Sequence, residues 1–196
     1  EESYQRPPLL QTPKVMWTPY LAQVLNAVLE ADAAVVGFDL IFPTSVGSAI
    51  KGFDLNFLRA LHGGGREGRV LLGQVQHRSK PLLPHPAQQR VVGGPRNLRY
   101  LNVLADQDEV IRRVPLWFAG GNGADLMSSM AMELALRGGA RSIQHSEQIL
   151  TLNFDHPFGA IPSYSFADLL ACAQQGKDDF FQRHFANRIV IFGTRL

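Results

Sequence analysis

The sequence predicts an α/β fold: a three-layer α/β/α sandwich around a mostly parallel mixed sheet that includes one antiparallel hairpin. Three observations lead there. Residues 33–42 form a nearly unbroken apolar run of strand length, the pattern of a strand buried on both faces. Amphipathic helical stretches alternate with such runs along most of the chain, as in right-handed crossover units. One pair of runs is joined by a short Asp-rich link, which signals a hairpin.

The elements follow in order. Residues 1–16 carry three prolines and little periodicity, an extended lead-in. Thr18-Pro19 opens a helix as N-cap and first-turn proline. Leu21, Val24, Leu25, Val28 and Leu29 then recur at helical spacing up to about residue 31. Strand 33–42 comes next, closed by Pro43. A loop over 44–51 precedes a helix over 53–61, which Gly63-Gly64-Gly65 ends, since glycine is the usual C-terminal helix stop. Residues 69–75 make the next strand. Four Lys/Arg side chains, four prolines and a Gly-Gly pair make 77–98 a surface excursion. Strands 99–104 and 110–118 form the hairpin across residues 105–109. Gly120-Gly121-Asn122-Gly123 turns the chain into an Ala/Met/Leu-rich helix over 125–137, stopped by Gly138-Gly139. Residues 148–154 read as a strand. Ser165 caps a helix over 166–173, with Asp168 completing a capping box. A polar helix over 178–185 leads to the final strand, 188–192. The sum is about six strands and five helices in one domain over 1–196.

Composition narrows the function. A chain of 196 residues, 45% hydrophobic, buries a substantial core. The net charge of +2, without a Lys/Arg run, argues against a nucleic-acid partner. The single cysteine, Cys172, rules out an internal disulfide and a multi-cysteine zinc site. No run of about 18 apolar residues is present to span a membrane. Both ends read as cut from something longer.

Motifs for catalysis and cofactors are missing. There is no G-x-S-x-G elbow and no phosphate-binding G-x-x-x-x-G-K-[ST] loop. The six histidines are scattered without zinc spacing. Asp106-x-Asp108 resembles the start of a calcium loop, but Ile111 and Arg112 follow where the loop's later ligands belong. Ordinary Asp turn chemistry accounts for it. The expectation is therefore no catalytic residue, no metal and no cofactor. Arg112-Arg113 lies on a strand, so the two side chains point to opposite faces and only one reaches inward. That one suits Asp39 or Asp106 as an ion-pair partner, or an anionic ligand.

An ordered set of residues carries a family resemblance. It runs Trp17…Leu21…Leu25, then Val35-Val36-Gly37-Phe38-Asp39-Leu40-Ile41-Phe42. Asn102-Val103…Asp106-x-Asp108-x-Val110-x-Arg112-x-Val114-Pro115-Leu116 follows. Ser165-Phe166-x-Asp168-Leu169-Leu170 and Ile189-Val190-Ile191-Phe192-Gly193-Thr194 complete it. Over roughly residues 17–196 the chain resembles the CHASE2 family, extracytoplasmic sensor domains of bacterial transmembrane receptors. Two departures stand out. Residues 1–16 show no counterpart of the family's additional first strand, and Glu109 stands where the hairpin usually has Gly. If that position needs a positive φ, Glu costs about 1 kcal/mol relative to Gly.

The resemblance implies a non-catalytic, periplasmic input domain between membrane helices of an inner-membrane protein. It would pass a stimulus to a cytoplasmic adenylate/guanylate cyclase or kinase, and would form a homodimer in the receptor. Its partner would be a small-molecule ligand or a periplasmic protein. A ligand site is expected at the C-terminal edge of the sheet, near Asp39, Asn102, Asp106, Arg112 and Asn153. Asp39 itself is expected to be a buried anchor at a strand end, tied to Arg112, Asn102 or a backbone amide. Two alternatives remain: an interaction or dimerisation scaffold using helix 125–137 or residues 77–98, and a hydrolase using Asp39 with Asp108.

Overall fold

The computed structural model describes residues 2–77, 79–119, 126–141, 148–155, 157 and 159–194. Helix α1 (Thr18–Glu30) presents Leu21, Val24, Leu25 and Val28 to the core, as its apolar spacing dictates. It feeds β1 (Val35–Phe38), all four residues of which are buried. Helix α2 (Leu55–Arg66) leads to β2 (Val70–Gln74), and α3 (Pro86–Val92) to β3 (Leu98–Tyr100). The short strands β4 (Leu104–Ala105), β5 (Ile111–Pro115), β6 (Trp117–Ala119) and β7 (Leu126–Ser128) precede α4 (Met130–Arg137). Strand β8 (Ile149–Thr151), helices α5 (Phe166–Gln174) and α6 (Asp178–Phe185), and strand β9 (Ile189–Phe192) complete the order.

The main sheet has four strands in the order β3-β2-β1-β9, all parallel. Because strand side chains alternate between faces, Val36, Phe38, Val70, Leu72 and Phe192 point to one side. There they join the buried residues of α1, α2, α5 and α6 in the larger core. Val35 and Leu71 point to the other side and pack with Met130 and Leu134 of α4. Helices thus cover both faces, and the α/β sandwich holds. The antiparallel strands do not extend this sheet. They form a three-stranded sheet, β4-β5-β8, and a separate pair, β6-β7.

Several elements differ from the sequence expectation, each for a tertiary reason. The lead-in is not extended. It holds 3-10 turns at Glu2–Gln5 and Lys14–Trp17, and Leu9 is fully buried. Ser3 supplies the cap of α5, its hydroxyl accepting from the Ala167 N–H at 3.1 Å. Ser165 caps nothing with its side chain, and Asp168 pairs with Arg6 at 2.5 Å, so the capping box does not form. The Thr18 hydroxyl likewise donates away from its helix, to Asp54. The strand of 33–42 is only Val35–Phe38.

Gly63-Gly64-Gly65 does not stop α2, which continues to Arg66. A β-carbon on Gly64 would lie 2.3 Å from Val70 Cγ2, and one on Gly65 would lie 2.4 Å from the Val92 carbonyl oxygen. These two glycines let α2 approach β2 and α3 closely. Gly138, by contrast, ends α4 as expected. Residues 77–98 contain α3, whose Gln88 and Val92 are buried, so this stretch is partly core. The reading of 125–137 as one helix splits into β7 and α4. Leu126 lies exposed on a strand, whereas Met130 is buried on the helix. The glycine-rich turn at 120–123 lies outside the described residues. Among the described residues the count is nine strands and six helices.

Candidate functional site

The five residues expected at the site fall into two groups. Asp39 follows the last residue of β1, at the C-terminal edge of the parallel sheet. Its N–H donates to the Phe192 carbonyl at 2.8 Å. Its carboxylate sits beside Gly193, where a β-carbon would be 3.6 Å from Oδ2. Partial burial pushes the Asp39 carboxyl above the usual carboxylate range. No hydrogen bond or ion pair reaches that carboxylate among the described residues, and the residue is exposed. The expectation of a buried anchor is therefore wrong: the strand ends one residue before Asp39, and neither Arg112 nor Asn102 meets it. Asp39→Asn is accordingly expected to change stability by less than about 0.5 kcal/mol, as for a surface position, measured by urea unfolding at neutral pH.

Asn102 also lies at this edge, two residues beyond β3. Its Oδ1 accepts from the Gln76 N–H at 2.8 Å, and its Nδ2 donates to the Gln76 carbonyl at 2.9 Å. The side-chain amide imitates a strand's backbone and prolongs the β2–β3 pairing by one step.

The second group belongs to the antiparallel sheet. The hairpin turn closes as its Asp-rich link predicts: the Asp106 N–H donates to the Val110 carbonyl at 2.9 Å, and the Glu109 N–H to the Asp106 carbonyl at 3.0 Å. Asp108 Oδ1 accepts from the Val110 N–H at 3.2 Å, the expected Asp turn chemistry. Arg112 forks across both carboxylates, 3.1 Å from Asp106 and 2.8 Å from Asp108. Arg113 Nε reaches Asp106 at 3.0 Å. Neither arginine points inward, contrary to expectation. Both side chains are about half exposed, at 47% and 48%, and converge on Asp106 past the register shift at Leu104/Ala105. Hydrogen bonds from Arg113 first, then Arg112, hold the Asp106 carboxyl below its usual range. Arg112 does the same for Asp108. Asn153 accepts from the Asp155 N–H at 2.9 Å, a local turn. It stands next to Leu152, whose N–H donates to the Arg112 carbonyl at 2.8 Å.

The structure thus brings Asp106, Arg112 and Asn153 into one sheet and leaves Asp39 and Asn102 at another edge. No hydrogen bond or ion pair joins the two groups among the described residues. Asp106, Gln107, Asp108, Arg112 and Arg113 line a shallow depression at the hairpin tip. Glu109 adopts φ +64°, the conformation that favours Gly. Glu109→Gly should therefore raise stability by about 0.5–1 kcal/mol, read as a higher denaturant midpoint with an unchanged slope.

One buried and one mostly buried polar cluster escaped the sequence reading. Asp54, 3% exposed, accepts from the Thr18 hydroxyl at 2.5 Å, from the Gly47 N–H at 2.8 Å, and from the Ser45 hydroxyl. Burial pushes its carboxyl up. The hydrogen bonds from Ser45, Thr18 and Gly47 outweigh this and hold it low. Glu133 of α4 meets Arg99 at 3.1 Å, Arg137 at 2.7 Å and the Ser128 hydroxyl at 2.5 Å. Glu133 and Arg137 have the i, i+4 spacing of a helical ion pair, but no spacing rule adds Arg99 to them or joins Thr18 to Asp54, 36 residues apart. Each acceptor is filled by donors of the scaffold, so both clusters brace the fold. Among the described residues no group of three or more His, Cys, Asp and Glu could hold a metal ion.

Fold and site together define an α/β module whose buried carboxylates are tied into the scaffold and which carries a cluster of paired charges at a hairpin tip. The chain belongs to the CHASE2 domain family, whose model matches residues 1–195, the lead-in included. CHASE2 domains are extracellular sensory modules of signalling receptors and are not themselves catalytic. No curated protein and no solved structure matches the chain. Among the described residues no helix is long and apolar enough to cross a membrane.

Proposed function

We propose that this chain is the periplasmic input domain of an inner-membrane receptor, passing a stimulus to a cytoplasmic adenylate/guanylate cyclase or kinase. The family match across residues 1–195 carries this reading. The test is the complete gene product. Hydrophobic spans on both sides of the domain and a cyclase or kinase beyond them are expected; an uninterrupted cytoplasmic enzyme would overturn it.

The stimulus reaches the domain as a small charged ligand at the hairpin tip. There the half-buried Asp106 and the exposed Asp108, Arg112 and Arg113 pair with one another. Exposed ion pairs contribute little to stability, so an anion can take the guanidinium groups, or a cation the carboxylates, at small expense. A ligand transmits a signal only by binding two states unequally. Asn102 and Asn153 shape the neighbouring backbone, their side chains engaged with Gln76 and Asp155. Thermal-shift screening against small anions, amino acids, sugars and divalent cations should reveal a stabilising compound whose effect disappears in Arg112→Ala. A shift that survives Arg112→Ala would place the site elsewhere.

A further inference from the structure

The two ends of the parallel sheet carry different surfaces. At the C-terminal end lie the connections that leave β1, β2 and β3, with the N-terminal ends of α1, α2 and α3, because each helix runs back across the sheet. Hydrogen bonds tie these connections into one layer. The Thr18 hydroxyl and the Gly47 N–H donate to Asp54 at 2.5 and 2.8 Å. The His85 N–H donates to the Phe42 carbonyl at 2.7 Å, and the Leu82 N–H to the Val75 carbonyl at 2.9 Å. The Gln76 N–H donates to Asn102 at 2.8 Å and joins the connections after β2 and β3.

Large apolar side chains stand out of this layer. Val15 ahead of α1, Ile50 ahead of α2, Leu82 and Leu83 ahead of α3, and Val103 after β3 are each between 38% and 51% accessible. At the opposite end, the turns entering β1, β2, β3 and β9 expose Asp32, Glu67, Arg96, Asn187 and Arg188. Among the described residues those turns expose no large apolar side chain. Single exposed apolar residues are ordinary on any surface; their gathering at one end of the sheet is not. Ile50, Leu82, Leu83 and Val103 lie on the β1–β3 side, whereas the start of the chain, Glu2–Gln5, packs on α5 at the β9 side.

Charge selects the occupant. Three of the apolar connections also carry a lysine: Lys14 precedes Val15, Lys51 follows Ile50, and Lys80 stands two residues before Leu82. All three lysines are exposed, and none has an ion pair or side-chain hydrogen bond among the described residues. Against them, these connections expose a single carboxylate among the described residues through Val103, that of Asp39. Beyond Val103 the hairpin pairs Asp106 and Asp108 with its own arginines. Apolar side chains beside unpaired ammonium groups match the interface of an anionic bilayer, where the former enter the acyl boundary and the latter stay at the phosphates. A fluid lipid surface also receives side chains from separate loops without the shape complementarity that a folded partner needs.

We propose that the C-terminal end of the parallel sheet is a lipid-docking face. It rests Ile50, Leu82, Leu83 and Val103 in the interface of an anionic phospholipid bilayer, with Lys51 and Lys80 at the phosphates and Lys14-Val15 at the margin. This goes beyond the receptor reading, since a receptor domain can stand clear of the bilayer. The vesicle result below and the make-up of the complete gene product therefore fail separately.

Co-sedimentation with vesicles of phosphatidylethanolamine and phosphatidylglycerol, and with vesicles of phosphatidylcholine alone, tests the face. The chain should partition about tenfold more strongly onto the anionic vesicles. Lys51→Glu combined with Lys80→Glu should weaken that partitioning about tenfold or more. Ile50→Ser combined with Leu82→Ser should weaken it by about the same factor. Thermal unfolding of both variants should be nearly unchanged, because the side chains are exposed. Arg96→Glu combined with Arg188→Glu makes the same change of net charge at the opposite end and should leave partitioning within about twofold. A polarity-sensitive fluorophore on Ile50→Cys, in a Cys172→Ser background, should shift to the blue on the anionic vesicles; the same fluorophore on Arg96→Cys should not. Failure to sediment with anionic vesicles, equal losses from the two charge-reversed pairs, or an unshifted fluorophore on Ile50→Cys would overturn the proposal. So would full binding by Ile50→Ser with Leu82→Ser, the result for an acidic protein partner read through charge alone.

Discussion

Replacing Glu133 by alanine is expected to destabilise the protein by about 2–3 kcal/mol, below the full penalty for a buried ion pair because the cluster is in partial contact with solvent. Glu133 is 14% exposed, and the two arginines it joins are 11% and 18% exposed. Its loss strands both guanidinium groups without their anion. Arg99 still donates to the Pro95 and Leu98 carbonyls, and Arg137 to the Gly68 and Arg96 carbonyls and to Asn97. The arginines therefore stay in place, and their uncompensated charge is the penalty. The pH dependence has a definite sign. Burial raises the Glu133 carboxyl, but hydrogen bonds from Ser128, Arg99 and Arg137 outweigh that and hold it below its ordinary value. A carboxyl depressed in the folded state contributes stability above its unfolded pKa, and this is lost as pH falls through the folded value. The wild type should therefore lose stability on acidification below about pH 4–5, and Glu133→Ala should flatten that slope. Urea midpoints of both proteins between pH 3 and pH 7 provide the measurement. Parallel pH curves, or a loss below about 1 kcal/mol, would show that the cluster behaves as a surface pair.

Gly65→Ala and Gly63→Ala are expected to move stability in opposite directions, although both add one methyl group to the same helix. At Gly65 the new β-carbon would stand 2.4 Å from the Val92 carbonyl oxygen, a backbone atom that moves only if α3 moves. Overpacking of that kind costs about 3 kcal/mol, against a helix-propensity gain of about 1 kcal/mol, for a net loss of about 2 kcal/mol. At Gly63 nothing lies within 4 Å and the residue is exposed, so only the gain of about 1 kcal/mol remains. Thermal unfolding of the two variants decides it. If both raise the midpoint, the α2–α3 contact is looser than described. If both lower it, the helix does not continue through the triplet.

The glycine triplet shows where sequence reading ran out. Glycine as a helix stop and glycine as a packing notch have the same spelling, and only the approach of Val70 and Val92 separates them. Helix α3 was hidden for a related reason: of its two buried residues, Gln88 and Val92, one is polar, and so is the buried Asn97 just beyond it, which an apolar-periodicity search does not count. Asn97 is buried because its amide donates to the Gly65 carbonyl at 2.9 Å and to that of Val92 at 2.5 Å. Asp39 was misplaced because an apolar run predicts a strand without marking its last paired residue. Of the site, the turn chemistry of Asp106 and Asp108 was legible, since hairpin partners are close in sequence; that Asp106 rather than Asp39 takes the arginines was not.

By itself the sequence determined the α/β class, β1 and β2 as doubly buried strands, the helical faces of α1 and α5, and the hairpin. These follow from local physics, namely side-chain periodicity, β-branched runs and turn residues, which act over a few positions. Only the tertiary structure decided that Thr18 serves Asp54 rather than its own helix. The same is true of Ser3 capping α5 and of Glu133 gathering two arginines. Those outcomes join residues up to 164 positions apart. Hydrogen bonds are selected by ångström-scale geometry that a linear pattern does not contain.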